Sequence, residues 1–351
     1  AETVGSALSY GEYTVPTVFL GGGTPSVAAV EDIERLLWAV GKHYRLDADV
    51  EITMEINPGT VCGESVSRFR AAGINRLSIG LQSADDGELA DIGRIHTWGQ
   101  FLETYREARK AGFENINVDI MSALPGQTIA RYRRTLERVL SLEPPPEHIS
   151  AYSLILEEGT PLFARYKKGE LDIPDEDTDR EMYQMTKEIL AERGYRRYEI
   201  SNYAREGYEC RHNCGYWRRR SYAGFGLGAA SLVDNVRFRN GSDLPAYLAD
   251  SLGCREDVRH LSRGEQMEEF MFLGLRMTDG VDMWEFERLF GCGMEEVYGD
   301  VIEKNIRDGL LKADFYIAAG EDSEPAQAAR RLALTERGLD LSNYVMAQFL
   351  L

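Results

Sequence analysis

Short β-like apolar runs recur through the first half of the chain, at residues 17–20, 51–56, 76–81, 115–120 and 148–154. Between them lie amphipathic segments. In residues 32–43, Ile33, Leu36, Leu37 and Val40 fall on one helical face. Residues 99–111 and 132–142 carry their charge outward in the same way. Strand–helix alternation at this spacing predicts a parallel sheet, either doubly wound or a (β/α) barrel. Polar and glycine residues gather where the runs end: Gly21-Gly22-Gly23-Thr24-Pro25-Ser26 after the first, Glu55-Ile56-Asn57-Pro58-Gly59 at the second, Gln82-Ser83 at the third, Asp119 near the fourth and Tyr152-Ser153 at the fifth. In parallel α/β folds that edge carries the site, which favours a barrel. Five runs are too few to close one, and the expectation is a partial barrel lacking at least one βα unit before residue 17.

Beyond Gly159 the pattern changes. A helix is predicted over 177–193 and a strand over 197–201, followed by an aromatic, glycine-rich stretch from Cys210 to Leu232. From Leu261 the reading is mostly helical (267–276, 283–290 and 294–308), with a strand-like run at 310–317 and a helix after Thr335, a winged-helix-like order. Three segments are therefore expected: a partial barrel over 1–205, a connecting region over 206–260 and a helical module over 261–351.

Charge narrows the function classes. The 351 residues hold 40 basic and 58 acidic side chains, a net charge of −18. Residues 261–351 alone carry nine basic against eighteen acidic. A winged helix that binds DNA needs a basic face, so nucleic acid is excluded as a partner and a lid or protein-facing surface is expected instead. No run approaches the ~18 apolar residues of a membrane span, and five cysteines make no disulfide framework, so a cytoplasmic location is expected.

Taken singly, the candidate motifs stay ambiguous. Three glycines after a strand let a ligand reach bare backbone, or simply make a tight βα turn; neither a phosphate-binding loop nor GxGxxG is present. Glu55 and Asn57 share one side of an extended segment and can hold ribose hydroxyls or an amino group. Arg94 and His96 suit a carboxylate, or close a helix at the surface. Asp119 sits among apolar residues and needs a partner, structural or ligand. In Cys210-Arg211-His212-Asn213-Cys214-Gly215-Tyr216-Trp217, two cysteines and a histidine invite a metal reading. The other cysteines, Cys62, Cys254 and Cys292, are scattered singly, so zinc is disfavoured, and His212 among aromatics is a candidate haem contact or part of a packed turn.

Read together and in order, these stretches resemble the radical S-adenosylmethionine superfamily, within it the coproporphyrinogen oxidase-like branch, and most closely that branch's haem chaperones. The matching segments are FLGGGTPS (19–26), EINPGT (55–60), GINRLSIGLQS (73–83), GRIH (93–96), NVDIMSALPGQT (117–128), HISAYSL (148–154), YEISNYA (198–204) and HNCGYW (212–217). The resemblance implies a partial (β/α) barrel of the TIM type with a winged-helix-like C-terminal domain. It also implies S-adenosylmethionine and a [4Fe–4S] cluster as cofactors. On the same basis Gly22, Gly23, Thr24, Glu55, Gln82, Arg94 and Asp119 would contact S-adenosylmethionine, with Asn57 and Ala151 as weaker extensions, and His212 would contact haem. The family's cluster-binding CxxxCxxC is absent from these residues, and Cys210-x3-Cys214-x2-Trp217 only imitates its spacing. The expectation is a chain lacking roughly its first forty residues.

Two functions follow from the resemblance. One is a haem chaperone that binds haem and delivers it to acceptor proteins, with peripheral membrane association through a partner; HNCGYW favours it. The alternative is oxygen-independent coproporphyrinogen III oxidation. Barrel motifs do not separate the two, so whether the chain is an enzyme stays open at this stage, as does its oligomeric state.

Overall fold

The computed structural model describes residues 13–317 and 328–351. The chain divides into two compact units. Of the described residues, one unit comprises 13–197 and 201–211 and the other comprises 198–200, 212–317 and 328–351.

The first unit holds a curled seven-stranded sheet in the order β1-β2-β3-β4-β5-β7-β6. Its strands are β1 (Thr14–Leu20), β2 (Arg45–Ile56), β3 (Arg76–Gln82), β4 (Ile116–Ser122), β5 (His148–Ser153), β6 (Arg196–Arg197) and β7 (Asn202–Ala204). β1 to β5 pair in parallel. Helices Val30–His43, Trp98–Lys110 and Ile129–Leu140, which the periodicity predicts, alternate with them, as does Gly63–Ala71. β7 is antiparallel to β5.

Side chains on alternate positions face opposite ways, and the two faces differ sharply. One carries Ile52, Met54, Ile56, Leu77, Ile79, Leu81, Ile116, Val118, Ile120 and Ile149, which pack with Phe69, Phe101, Tyr105, Leu136 and Val139 of the helices. The other is polar. Along β3 and β4 it shows Arg76, Ser78, Asn117 and Asp119, flanked by Thr53 and Glu55 on β2 and His148, Ser150 and Tyr152 on β5. Parallel strands buried on both faces usually read as continuous apolar runs. A polar inner face is retained where polar groups hold one another or a ligand.

The run expected as a strand over 197–201 is divided. Tyr198, Glu199 and Ile200 leave the sheet for the second unit, where Glu199 makes an isolated bridge with Met277. That unit contains an antiparallel sheet of β8 (Ala230–Val233), β9 (Val236–Asn240) and β10 (Arg255–His260), which no hydrophobic pattern announces because β10 is almost entirely charged. It also contains helices Arg263–Gly274, Met283–Phe290 and Met294–Arg307 with β11 (Val281–Asp282), β12 (Leu311–Ile317) and β13 (Ala328–Leu334), in the sheet order β11-β13-β12. This is the winged-helix-like order expected. Met271, Leu275, Phe286, Met294, Leu332, Val345 and Phe349 form its core.

Candidate functional site

At the carboxyl edge of β1 the chain turns through Gly21, Gly22 and Gly23. Gly22 and Gly23 adopt φ of 75° and 81°, the left-handed region that glycine enters without strain. A Cβ on either would meet open space, whereas one on Gly21 would lie 2.7 Å from Phe19 Cε1 and 3.0 Å from Glu55 Cδ. The loop is therefore closed towards β2 and open outward. Gly22 N–H donates to Glu55 Oε2 at 3.3 Å, and Asn57 Nδ2 donates to Thr24 Oγ1 at 3.1 Å, fastening the glycine loop to the end of β2.

Across the mouth, β3 ends at Gln82, buried to 3% exposure and itself left-handed at φ 72° where the pairing with β4 shifts register. A non-glycine residue held there is strained, a feature that gathers at ligand sites. Tyr152 on β5 donates its hydroxyl to Gln82 Oε1 at 3.0 Å. Burial raises the Tyr152 phenol above its ordinary value, and the negative charge of Asp119 and Glu55 adds to this while nearby Arg94 opposes it. Glu55, Gln82, Arg94 and Asp119 thus all act on Tyr152. Burial also raises Glu55, with a further push from Asp119, against the Gly22 N–H bond that lowers it. Asp119 is raised by burial and eased by Asn117, Ser150, Arg76 and Ser78.

The structure thus brings Gly22, Gly23, Thr24, Glu55, Gln82, Arg94 and Asp119 to one strand edge. Ala151 instead turns to the apolar face and joins the core. His96 is buried with Nε2 3.1 Å from the Leu81 carbonyl, so it supports the Arg94 loop from within. Tyr152, Ser78, Asn117 and His148 were not singled out as site residues. The polar–apolar alternation within RLSIGLQ, INVDIMS and HISAYS marks them. The edge offers acceptors (Glu55, Asp119), an amide, a cation and bare backbone, the donor and acceptor set of a polar ligand bearing hydroxyl, amino and carboxylate groups.

His212 lies in the second unit, on the helix Arg211–Trp217. Its ring stands edge-on to Tyr216 with centroids 4.8 Å apart, and Nε2 lies 3.0 Å from the Tyr216 hydroxyl; Tyr216 meets Tyr222 edge-on at 4.7 Å. Hydrogen bonding of one imidazole nitrogen orients the ring. The five cysteines do not fit a [4Fe–4S] cluster. Cys62, Cys210, Cys214, Cys254 and Cys292 form no disulfide among the described residues, where no three metal-ligating side chains come together.

Residues 3–139 match the Radical SAM superfamily and residues 261–316 match the HemN C-terminal domain. The chain is 38% identical over 336 residues to "Heme chaperone HemW" of Lactococcus lactis, covering 95% of this chain and 84% of that protein. It is 33% identical over 353 residues to "Heme chaperone HemW" of Bacillus subtilis, covering 99% and 89%. In three dimensions it matches the coproporphyrinogen III oxidase HemN of Escherichia coli with a TM-score of 0.80 at 22% identity, over 99% of this chain and 81% of that one, a likeness of fold. The chain belongs to the radical S-adenosylmethionine superfamily, in the family of the HemW proteins.

Proposed function

We propose that this chain is a haem chaperone of the radical S-adenosylmethionine type: it binds haem, binds S-adenosylmethionine at the carboxyl edge of its half-barrel, and passes haem to acceptor proteins. What carries the haem reading is the near full-length similarity to proteins named heme chaperones, together with the aromatic helix that bears His212. For S-adenosylmethionine the support is Glu55 against an open triple-glycine loop, together with Gln82, Arg94 and Asp119, which act with it on Tyr152. When bound, that cofactor supplies an adenosyl radical in this superfamily. The residues here bind and orient it: Gly22, Gly23 and Thr24 offer backbone and hydroxyl, Glu55 and Asp119 accept from hydroxyl or amino groups, and Arg94 pairs with a carboxylate. Among the described residues the cysteines do not come together in a cluster-binding set.

The test is a haem titration followed at the Soret band. Saturable, stoichiometric binding that His212→Ala weakens without changing the far-ultraviolet circular dichroism is the expected result. Absence of binding overturns the reading. Coproporphyrinogen oxidation is the second reading, since residues 261–316 match the HemN C-terminal domain. Turnover of coproporphyrinogen with no haem binding would favour that reading.

A further inference from the structure

Beneath the mouth lies a closed network that the assignments above do not use. Asn117 Nδ2 donates to Asp119 Oδ1 at 2.7 Å and to Ser78 Oγ at 2.8 Å. Ser78 Oγ reaches Asp119 Oδ2 at 3.4 Å. On its other side, Asn117 Oδ1 lies 2.6 Å from His148 Nδ1 and 3.1 Å from Ser150 Oγ. Ser150 Oγ also lies 2.7 Å from Asn202 Oδ1, and its single proton serves one of these two oxygens.

The chemistry of the groups fixes the direction of the Asn117 bonds to Asp119 and His148. A carboxylate only accepts, so Asn117 must turn its NH2 towards Asp119, and its carbonyl oxygen then faces His148. A carbonyl oxygen also only accepts, so the facing imidazole nitrogen must carry a proton: His148 is the Nδ1–H tautomer. Burial and the nearby Arg76 cation hold His148 well below the usual imidazole range, which keeps it neutral and makes the choice of tautomer meaningful. The orientation of the imidazole on β5 is thus coupled through one amide to a carboxylate two residues further along β4. His148 and Asn117 are 0% and 2% exposed, so neither touches a ligand directly.

We propose that Asn117 and His148 are positioning residues that hold the Asp119 carboxylate as a fixed acceptor at the mouth; the role in ligand binding rests on the cofactor reading above. The ionisable groups facing Asp119 are Glu55 on β2, Arg76 on β3 and His148 and Tyr152 on β5. Of these, Arg76 favours its charged form, while Glu55 and Tyr152 are each raised by it. Removing the Asn117 donor removes a bond that favours the carboxylate, so Asp119 then titrates at higher pH.

Two measurements on the full chain test this. The first needs no ligand: the Asp119 carboxyl midpoint, read by NMR from 13C-labelled aspartate and assigned with Asp119→Asn. The second is S-adenosylmethionine affinity by calorimetry between pH 5 and 8. In Asn117→Leu and His148→Phe the carboxyl midpoint moves up by about one pH unit and affinity at neutral pH falls about tenfold, the effect of one lost charge-assisted hydrogen bond. His148→Gln keeps a neutral N–H donor and restores most of both. A merely structural role would leave the midpoint in place. An unmoved midpoint in folded Asn117→Leu overturns the proposal. Should Asn117→Leu not fold, equal midpoints in His148→Phe and His148→Gln overturn it instead. A shifted midpoint in a chain that binds no S-adenosylmethionine leaves the positioning of Asp119 supported and sinks the cofactor reading.

Discussion

Gly22 presents its backbone N–H to the Glu55 carboxylate at 3.3 Å, tying the loop after the first strand to the end of the second. That bond requires the residue before it to have no side chain. A Cβ on Gly21 would sit within 3.1 Å of Glu55 Oε2 and 2.7 Å of Phe19.

Gly21→Ala is therefore expected to displace Glu55 and to weaken S-adenosylmethionine binding. Gly22→Ala and Gly23→Ala have room for the methyl group and lose stability only through backbone strain, about 1 kcal/mol each. Calorimetric affinity and melting temperature, measured on all three variants, separate the two effects. Equal affinity for Gly21→Ala and wild type would contradict the placement of Glu55.

The raised acids make a pH prediction with a definite sign. Glu55 and Asp119 both titrate above their ordinary values in the folded chain. The folded state then binds protons more tightly than the unfolded one. The stability contributed by these groups is complete below the ordinary carboxylate range and is lost as pH rises through the raised values. Asp119→Asn removes this loss. The ligand-free variant should equal wild type in melting temperature near pH 4 and exceed it increasingly towards pH 7. A constant difference across that range would contradict the shift.

In the second unit, buried Glu269 accepts from Arg219 Nε at 2.9 Å and from Arg237 Nη1 at 2.7 Å. Glu269→Ala leaves two cations without a counter-charge, one of them 13% exposed, and should destabilise by about 3 kcal/mol. Urea denaturation reads the loss. Arg237 is the more exposed partner, so Arg237→Ala should cost clearly less than Glu269→Ala.

Tyr216 holds one nitrogen of His212. Hydrogen bonding at the second nitrogen sets the basicity of an imidazole that ligates iron. Tyr216→Phe should therefore keep stoichiometric haem binding but displace the Soret maximum, whereas His212→Ala should weaken binding. Identical spectra for wild type and Tyr216→Phe would remove His212 from the iron.

Local pattern was enough for much of the fold. The first five strands, the helical segments near 32–43, 99–111 and 132–142 and the helices after Leu261 follow from periodicity, and the helix Met283–Phe290 appears with the bounds the sequence implies, whereas the helix Gly63–Ala71 and the strand Ala328–Leu334 are found only in the structure. Glycine and polar residues at strand ends marked the edge that carries Gly22, Glu55, Gln82 and Asp119, because backbone freedom and polarity in an otherwise apolar run have few other uses. Tertiary structure decided what no local window contains. It split the run 197–201 between two units, paired the charged strand Arg255–His260, and set Asn117 between His148 and Asp119. A sequence window reports how much of each face is apolar, since that depends on a residue and its near neighbours. Which polar groups meet depends on strand register across 31 residues of chain, as between Asn117 and His148, and that is fixed only when the helices bury the opposite face.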